Sequence, residues 1–250
     1  MSPPFFSSER ARLTTPPKPR PKRPYKSVDV TPTPDGFAVR LDGRGARTPG
    51  GRGLLLPTEA LARRIADEWA AQGDGVVITS MPATRLAHVA IDAMAESRGE
   101  AARRVTEFAV DDLVCYFAEG PAGLVARQEQ VWAPLLDWVR ADLGLEFRRF
   151  VGVTHHDQSP ATLAAVEALA AAEEVFILAG LVHAAQLFGS AILALSLWKG
   201  RLSGAQAFAA SQLDETFQAE TWGEDAEDAA RVRALAIEAG MLEAWFRALG

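Results

Sequence analysis

Residues 175–198, VFILAGLVHAAQLFGSAILALSLW, form an unbroken run of 24 residues without a formal charge. Such a run is long enough to cross a hydrocarbon layer, and it is equally what the central helix of a water-soluble bundle requires. His183, Gln186, Ser190 and Ser196 lie inside it, no second comparable run exists, and the flanking segments are acidic and amphipathic. Amphipathic neighbours need an apolar partner, so we read 175–198 as one buried central helix, with no stable membrane insertion. Gly180, Ala184, Ala185 and Gly189 would let neighbouring helices approach it closely.

Working outward, residues 83–250 read as a larger all-α domain. Ser97 with Glu100 matches a capping box, Gly144 can stop a helix over 124–143, and Ser203 can cap a later one. Residues 146–154, EFRRFVGVT, are the one short extended interruption. On the N-terminal side, 26–82 reads as a small β-rich domain with one embedded helix. Val28 and Val30, then Phe37, Val39 and Leu41, alternate with polar residues around the turn signals Pro34-Asp35-Gly36 and Asp42-Gly43. Pro57-Thr58-Glu59 opens a helix carrying Leu61, Ile65 and Trp69 on one face, Gly73 ends it in a left-handed conformation, and Val76 to Thr79 returns to strand. The glycine-rich stretch 42–53 reads as a flexible hairpin connection with exposed arginines; it lacks the spacing of a phosphate or dinucleotide loop. Nine of the fifteen prolines precede Asp35, and 1–25 reads as a disordered Pro/basic arm. The fold class is therefore α+β.

The net charge of −6 is unevenly placed: the first 26 residues hold seven Lys/Arg against one Glu, leaving 19 bases against 31 acids beyond them. An acidic body repels phosphate backbones, which argues against nucleic acid as partner. The single cysteine, Cys115, excludes an internal disulfide and fits a reducing compartment. No catalytic constellation is legible among the four histidines and the one cysteine. His155-His156-Asp157 lacks the further ligands of a zinc site, and Cys115 beside Asp111-Asp112 reads as a buried structural thiol. We expect no catalytic residues, no metal and no cofactor; the alternative is an enzyme of unknown reaction with a pocket near His155 and His156. The strongest functional signal lies between Gln212 and Ala230, with seven acids, no base and interleaved aromatics. This pattern reads as an acidic docking surface with aromatic anchors, giving Glu215, Phe217, Glu220, Trp222, Glu224 and Glu227 as candidate partner-binding residues. Ordinary placement of acids at a helix N-terminus would produce the same charges.

Several segments, taken in order, resemble one family. They are Trp69-Ala70-Ala71-Gln72, Met81-Pro82-Ala83-Thr84-Arg85-Leu86 running into Ala90-Ile91-Asp92, Asp112-Leu113-Val114-Cys115-Tyr116, Gln128 and Trp132 before Pro134, Gly189-Ser190, and the acidic stretch from Leu213 to Glu227. Together they look like the ATP synthase assembly chaperones of mitochondria and alpha-proteobacteria that bind the free alpha subunit of the F(1) head. His88, Val89 and Phe117 depart from that pattern. The resemblance implies a non-enzymatic chaperone that keeps the alpha subunit from aggregating until it joins the beta subunit. It also implies a cytoplasmic location in bacteria and a mitochondrial-matrix location in the eukaryotic members. We expect a monomer when free, since a permanent self-interface would compete with the client.

Overall fold

The computed structural model describes residues 22–94, 97–222 and 226–250, with 222 and 226–229 as backbone only. Alternating apolar residues build the first sheet: β1 (Val28–Thr33) and β2 (Gly36–Leu41) pair antiparallel with Val30 opposite Val39. Asp42 and Gly43 both take positive φ, 49° and 75°, the geometry of a two-residue type I′ hairpin, and deliver the chain to β3 (Arg44–Gly45). β4 (Leu55–Leu56) shares the same edge of β2 as β3, further along the strand. Thr58 caps α1 (Glu59–Ala70) by accepting the Leu61 amide, and the helix lays Leu61, Ala62, Ile65 and Ala66 over the sheet. Packing of this domain extends back across the boundary expected at residue 26. Lys22 bridges to Gly75, the Arg23 amide donates to Asp74 O at 2.9 Å, and the buried Tyr25 donates its hydroxyl to Trp69 O at 2.8 Å. The arm's residues 1–21 lie outside the described residues.

Three local expectations in this region are corrected. The helix ends on Ala71 in a right-handed conformation, and Gly73 is not left-handed. Residues 76–79 form no strand: Gln72 accepts the Val77 amide at 2.7 Å and turns the chain into a 3₁₀ turn, Ile78–Ser80. The glycine-rich loop is not loose. Asp92 accepts the Thr48 hydroxyl at 2.6 Å and the Gly50 amide at 2.9 Å, while Arg52 donates to Ile91 O at 2.7 Å. These bonds tie the sheet domain to the helical one.

The helical part begins with α2 (Pro82–Val89), whose free N-terminal amides at Ala83 and Thr84 are accepted by Glu68 at 2.9 and 2.7 Å, and continues into a π turn, Ala90–Met94. Ser97 precedes α3 (Arg98–Val110) without a side-chain cap, because Glu100 turns outward to Arg104 and the expected capping box does not close. A 3₁₀ turn, Leu113–Cys115, leads into β5 (Tyr116–Phe117). The helix expected over 124–143 is two: α4 (Ala122–Val131) and α5 (Ala133–Leu143), separated at Trp132 because Pro134 cannot donate to the ladder. Gly144 ends α5 with φ 67°. The extended interruption supplies β6 (Phe150–Val151), which pairs parallel with β5. Then follow α6 (Pro160–Ala172), α7 (Val175–Phe188), α8 (Ala191–Trp198), α9 (Gly204–Ser211), α10 (Leu213–Trp222) and α11 (Ala226–Leu249).

The deciding run, 175–198, is buried as expected, yet it forms two helices. Gly189 takes φ 64° as the C-cap of α7, and Ser190 swings to an extended conformation and caps α8 through the Leu193 amide. Seven of the eight residues of α8 are buried, and α7 packs on α3, α8 and α11. Among the described residues, no helix is long and apolar enough to cross a membrane.

Candidate docking surface

The acidic stretch sits on α10, and its position is determined from below. The Trp132 indole donates to Ala210 O at 3.0 Å, fixing the end of α9 against α4 and α5. Leu213 is buried at the start of α10. The buried Gln128 accepts the Ala118 amide through Oε1 at 2.8 Å and donates through Nε2 to Asp214 Oδ1 at 2.8 Å. Partial burial raises the Asp214 carboxyl above its ordinary range, and the Gln128 bond opposes that rise.

Phe217 is half-buried against α4, with the Arg127 guanidinium 5.2 Å from its ring centroid. Glu220 forms a two-pronged pair with Arg127, at 3.0 and 2.6 Å. This contact holds the Glu220 carboxyl below and the Arg127 guanidinium above their usual values. Of the six residues nominated from sequence, Glu215, Phe217 and Glu220 therefore lie on one helix in different situations. Glu215 is exposed, Phe217 and Glu220 are engaged with α4, and Trp222 is the last residue of α10. Glu227 lies in the first turn of α11, whose side chains there are outside the description, and Glu224 lies outside the described residues.

Sequence reading did not single out Arg127 or Asp214. Asp214 stands inside the acidic stretch, while Arg127, 93 residues from Glu220, gives no local sign of its role. Beside α10, Val131, Pro134, Leu202, Ala209 and Leu213 line an apolar cleft of about 570 Å³ with Arg127 and Arg201 among its walls.

The alternative centre at His155 and His156 does not assemble into a pocket of converging groups. His155 is exposed, with Nδ1 2.5 Å from Asp111 Oδ1 and Nε2 3.3 Å from Asp157 Oδ1, so its two nitrogens point at separate carboxylates. Asp111 is the main cause of the raised His155 pKa. The His156 ring stacks on Phe150, with centroids 4.8 Å apart. Among the described residues, no group of three or more His, Cys, Asp and Glu is placed to hold a metal. Cys115 is buried, and desolvation, with Asp112 nearby, pushes its thiol far up. A thiol so protonated is a poor nucleophile.

The chain is thus a two-domain α+β protein with its acidic helix held on the outside of the bundle. A model of the ATP12 chaperone protein family matches residues 22–140. The crystal structure of Atp12 from Paracoccus denitrificans superposes with a TM-score of 0.85 at 36% identity, covering 91% of this chain and 97% of that one. The Atu1473 protein of Agrobacterium tumefaciens gives 0.85 at 39% identity, over 92% and 87%. The mitochondrial protein atp12 of Schizosaccharomyces pombe is 25% identical over 230 residues, 85% of this chain and 78% of its own length. The chain belongs to the ATP12 chaperone family, a family of chaperones and not of enzymes, and the one its motifs resemble.

Proposed function

We propose that this chain is a cytoplasmic ATP synthase assembly chaperone that holds the free alpha subunit of the F(1) head and keeps it from aggregating until the beta subunit arrives. Its docking face is the acidic helix α10 continuing into the start of α11. The observation that supports this reading is the anchoring of α10 through Gln128 on Asp214 and Arg127 on Glu220, which leaves the exposed Glu215 carboxylate on a rigid support. A pre-ordered helix steers a client and loses little entropy on contact.

Co-expression with the alpha subunit of the same organism tests it. The parent is expected to keep alpha soluble and to co-purify with it. Glu215→Lys, at an exposed residue with no hydrogen bond or ion pair to another described side chain, is expected to cut the recovered complex by about tenfold. A parent that recovers no alpha overturns the function; a Glu215→Lys variant as effective as the parent overturns the face.

A further inference from the structure

The cleft beside α10 has a different character from the acidic stretch. Its floor is apolar, built from α4, α5, α9 and α10, and it opens to solvent where Val131 is 37% exposed. Two charged residues line it, Arg127 and Arg201, and no carboxylate does. Arg127 is neutralised by Glu220. Arg201, in the turn between α8 and α9, is exposed and has no carboxylate partner among the described residues. An unneutralised guanidinium at the rim of an apolar cleft, on a chain of net charge −6, is complementary to an apolar segment that carries its own carboxylate.

Resting on the function proposed above, we infer that this cleft receives a segment of the free alpha subunit in which large apolar side chains sit next to an Asp or Glu. The apolar groups fill the floor between Val131, Leu202 and Leu213, and the carboxylate pairs with Arg201. Leu213 and Thr216 belong to α10 itself, and Glu220, seven residues on from Leu213, shares their face and pairs with the cleft's Arg127, so the cleft and the acidic helix engage the client together. A cleft of about 570 Å³ has room for several side chains, and filling it removes the apolar surface that a lone chaperone leaves in water.

Two substitutions at exposed positions test this without touching the core. Ala209→Trp fills the cleft from the exposed side of α9, and Arg201→Glu reverses its free charge. Each is compared with the parent by co-expressed alpha recovered, with circular dichroism and melting temperature recorded for the free chain. Both are expected to lower the recovered complex about tenfold with the melt unchanged, while Arg201→Lys keeps most of it. As a second measurement, a photocrosslinker is attached through Ala209→Cys; Cys115, being buried, does not compete for the label. Crosslinks are expected to fall on an alpha segment containing an acid among apolar residues. Recovery equal to the parent in both variants, or crosslinks absent from alpha, overturns the cleft and leaves the proposed function standing. If Ala209→Trp instead abolishes a self-association of the parent and spares alpha, the occupant is a second copy and the inference is wrong. A parent that recovers no alpha removes the function and the cleft together.

Discussion

The Ser190 hydroxyl donates to Asp112 Oδ1 at 2.6 Å, across 78 residues of sequence and in full burial. The other carboxylate oxygen accepts the Ile192 amide at 3.0 Å, so Asp112 sits at the N-terminus of α8 and answers amides that the helix itself leaves free. Two segments that each carry the family resemblance thus meet in one buried cap, which fixes the start of α8 after the chain turns at Gly189.

Burial dominates the energetics of that cap. Desolvation raises the Asp112 pKa from 3.8 to about 6, against the hydrogen bonds from Ser190, Ile192 and Val114. The folded chain therefore holds this proton more tightly than the unfolded chain does. The contribution of Asp112 is at its largest below the ordinary value and is lost as pH rises through about 6. Urea melts of the parent and of Asp112→Asn should show the parent's stability relative to the variant falling between pH 4 and 6, by on the order of 3 kcal/mol. A difference flat in pH would mean that the carboxyl titrates normally. Asp112→Ala removes the same titrating group and also strips the acceptor from buried donors, so its deficit should be larger than that of Asp112→Asn and should shrink by a similar amount as pH rises through about 6.

Neighbouring glycines should respond in opposite directions. A Cβ on Gly204 would lie 2.4 Å from Ala239 O, where α9 crosses α11, whereas a Cβ on Gly240 meets nothing within 4 Å. Gly240→Ala should stabilise by about 0.5–1 kcal/mol through helix propensity alone. Gly204→Ala should destabilise by about 1–3 kcal/mol, since the clash with backbone exceeds any propensity gain at a first helical turn. Thermal melts of the two variants give the signs directly.

Much of this architecture was legible because local signals agree with the tertiary outcome. Leu61 and Ile65 keep their helical spacing, Thr58 and Ser203 act as caps, and Ser203 closes a full capping box with Gln206. Several of the failures share a cause: the deciding partner is remote. Within 175–198 no polarity pattern marks the break at Gly189-Ser190, since α8 is buried nearly all round and the acceptor is Asp112. The two-residue pairing of β5 with β6 is too short to leave a periodicity. The acids of α10 could be read, but not which of them are taken, because Arg127 and Gln128 lie 93 and 86 residues away from their partners.

Asp92 should govern protease sensitivity of the glycine-rich loop. Its hydrogen bonds from Thr48 and the Gly50 amide hold its carboxyl below the ordinary range, Thr48 contributing most. Asp92→Ala releases both donors and leaves the segment 47–52 bonded to the helical part by Arg52 on Ile91 O, and otherwise held by the Arg47–Gly53 bridge and the Thr48 amide on Arg52 O. Trypsin at neutral pH should then cut after Arg47 roughly tenfold faster than in the parent, with the remaining sites unchanged. Equal rates would show that the loop is held by the sheet alone.

Gln128→Glu probes the support under α10 more severely than removal of any surface charge. In the parent the side-chain amide serves two masters: Oε1 accepts from Ala118 and Nε2 donates to Asp214. A glutamate keeps the acceptor but replaces the donor with an oxygen, placing two carboxylates about 2.8 Å apart in a partly desolvated site. Such a pair cannot ionise fully, so one proton is retained at the cost of about 2–4 kcal/mol of stability at pH 7. The penalty should shrink as pH is lowered, because the shared proton is then supplied at little cost and one carboxyl again donates to the other. Denaturation of parent and variant at pH 7 and at pH 5 separates this from simple loss of packing, which would give the same deficit at both. If the pH-dependent deficit is found, client recovery by the variant at pH 7 should fall with it, since the contact that holds the first turn of α10 in place is then weakened.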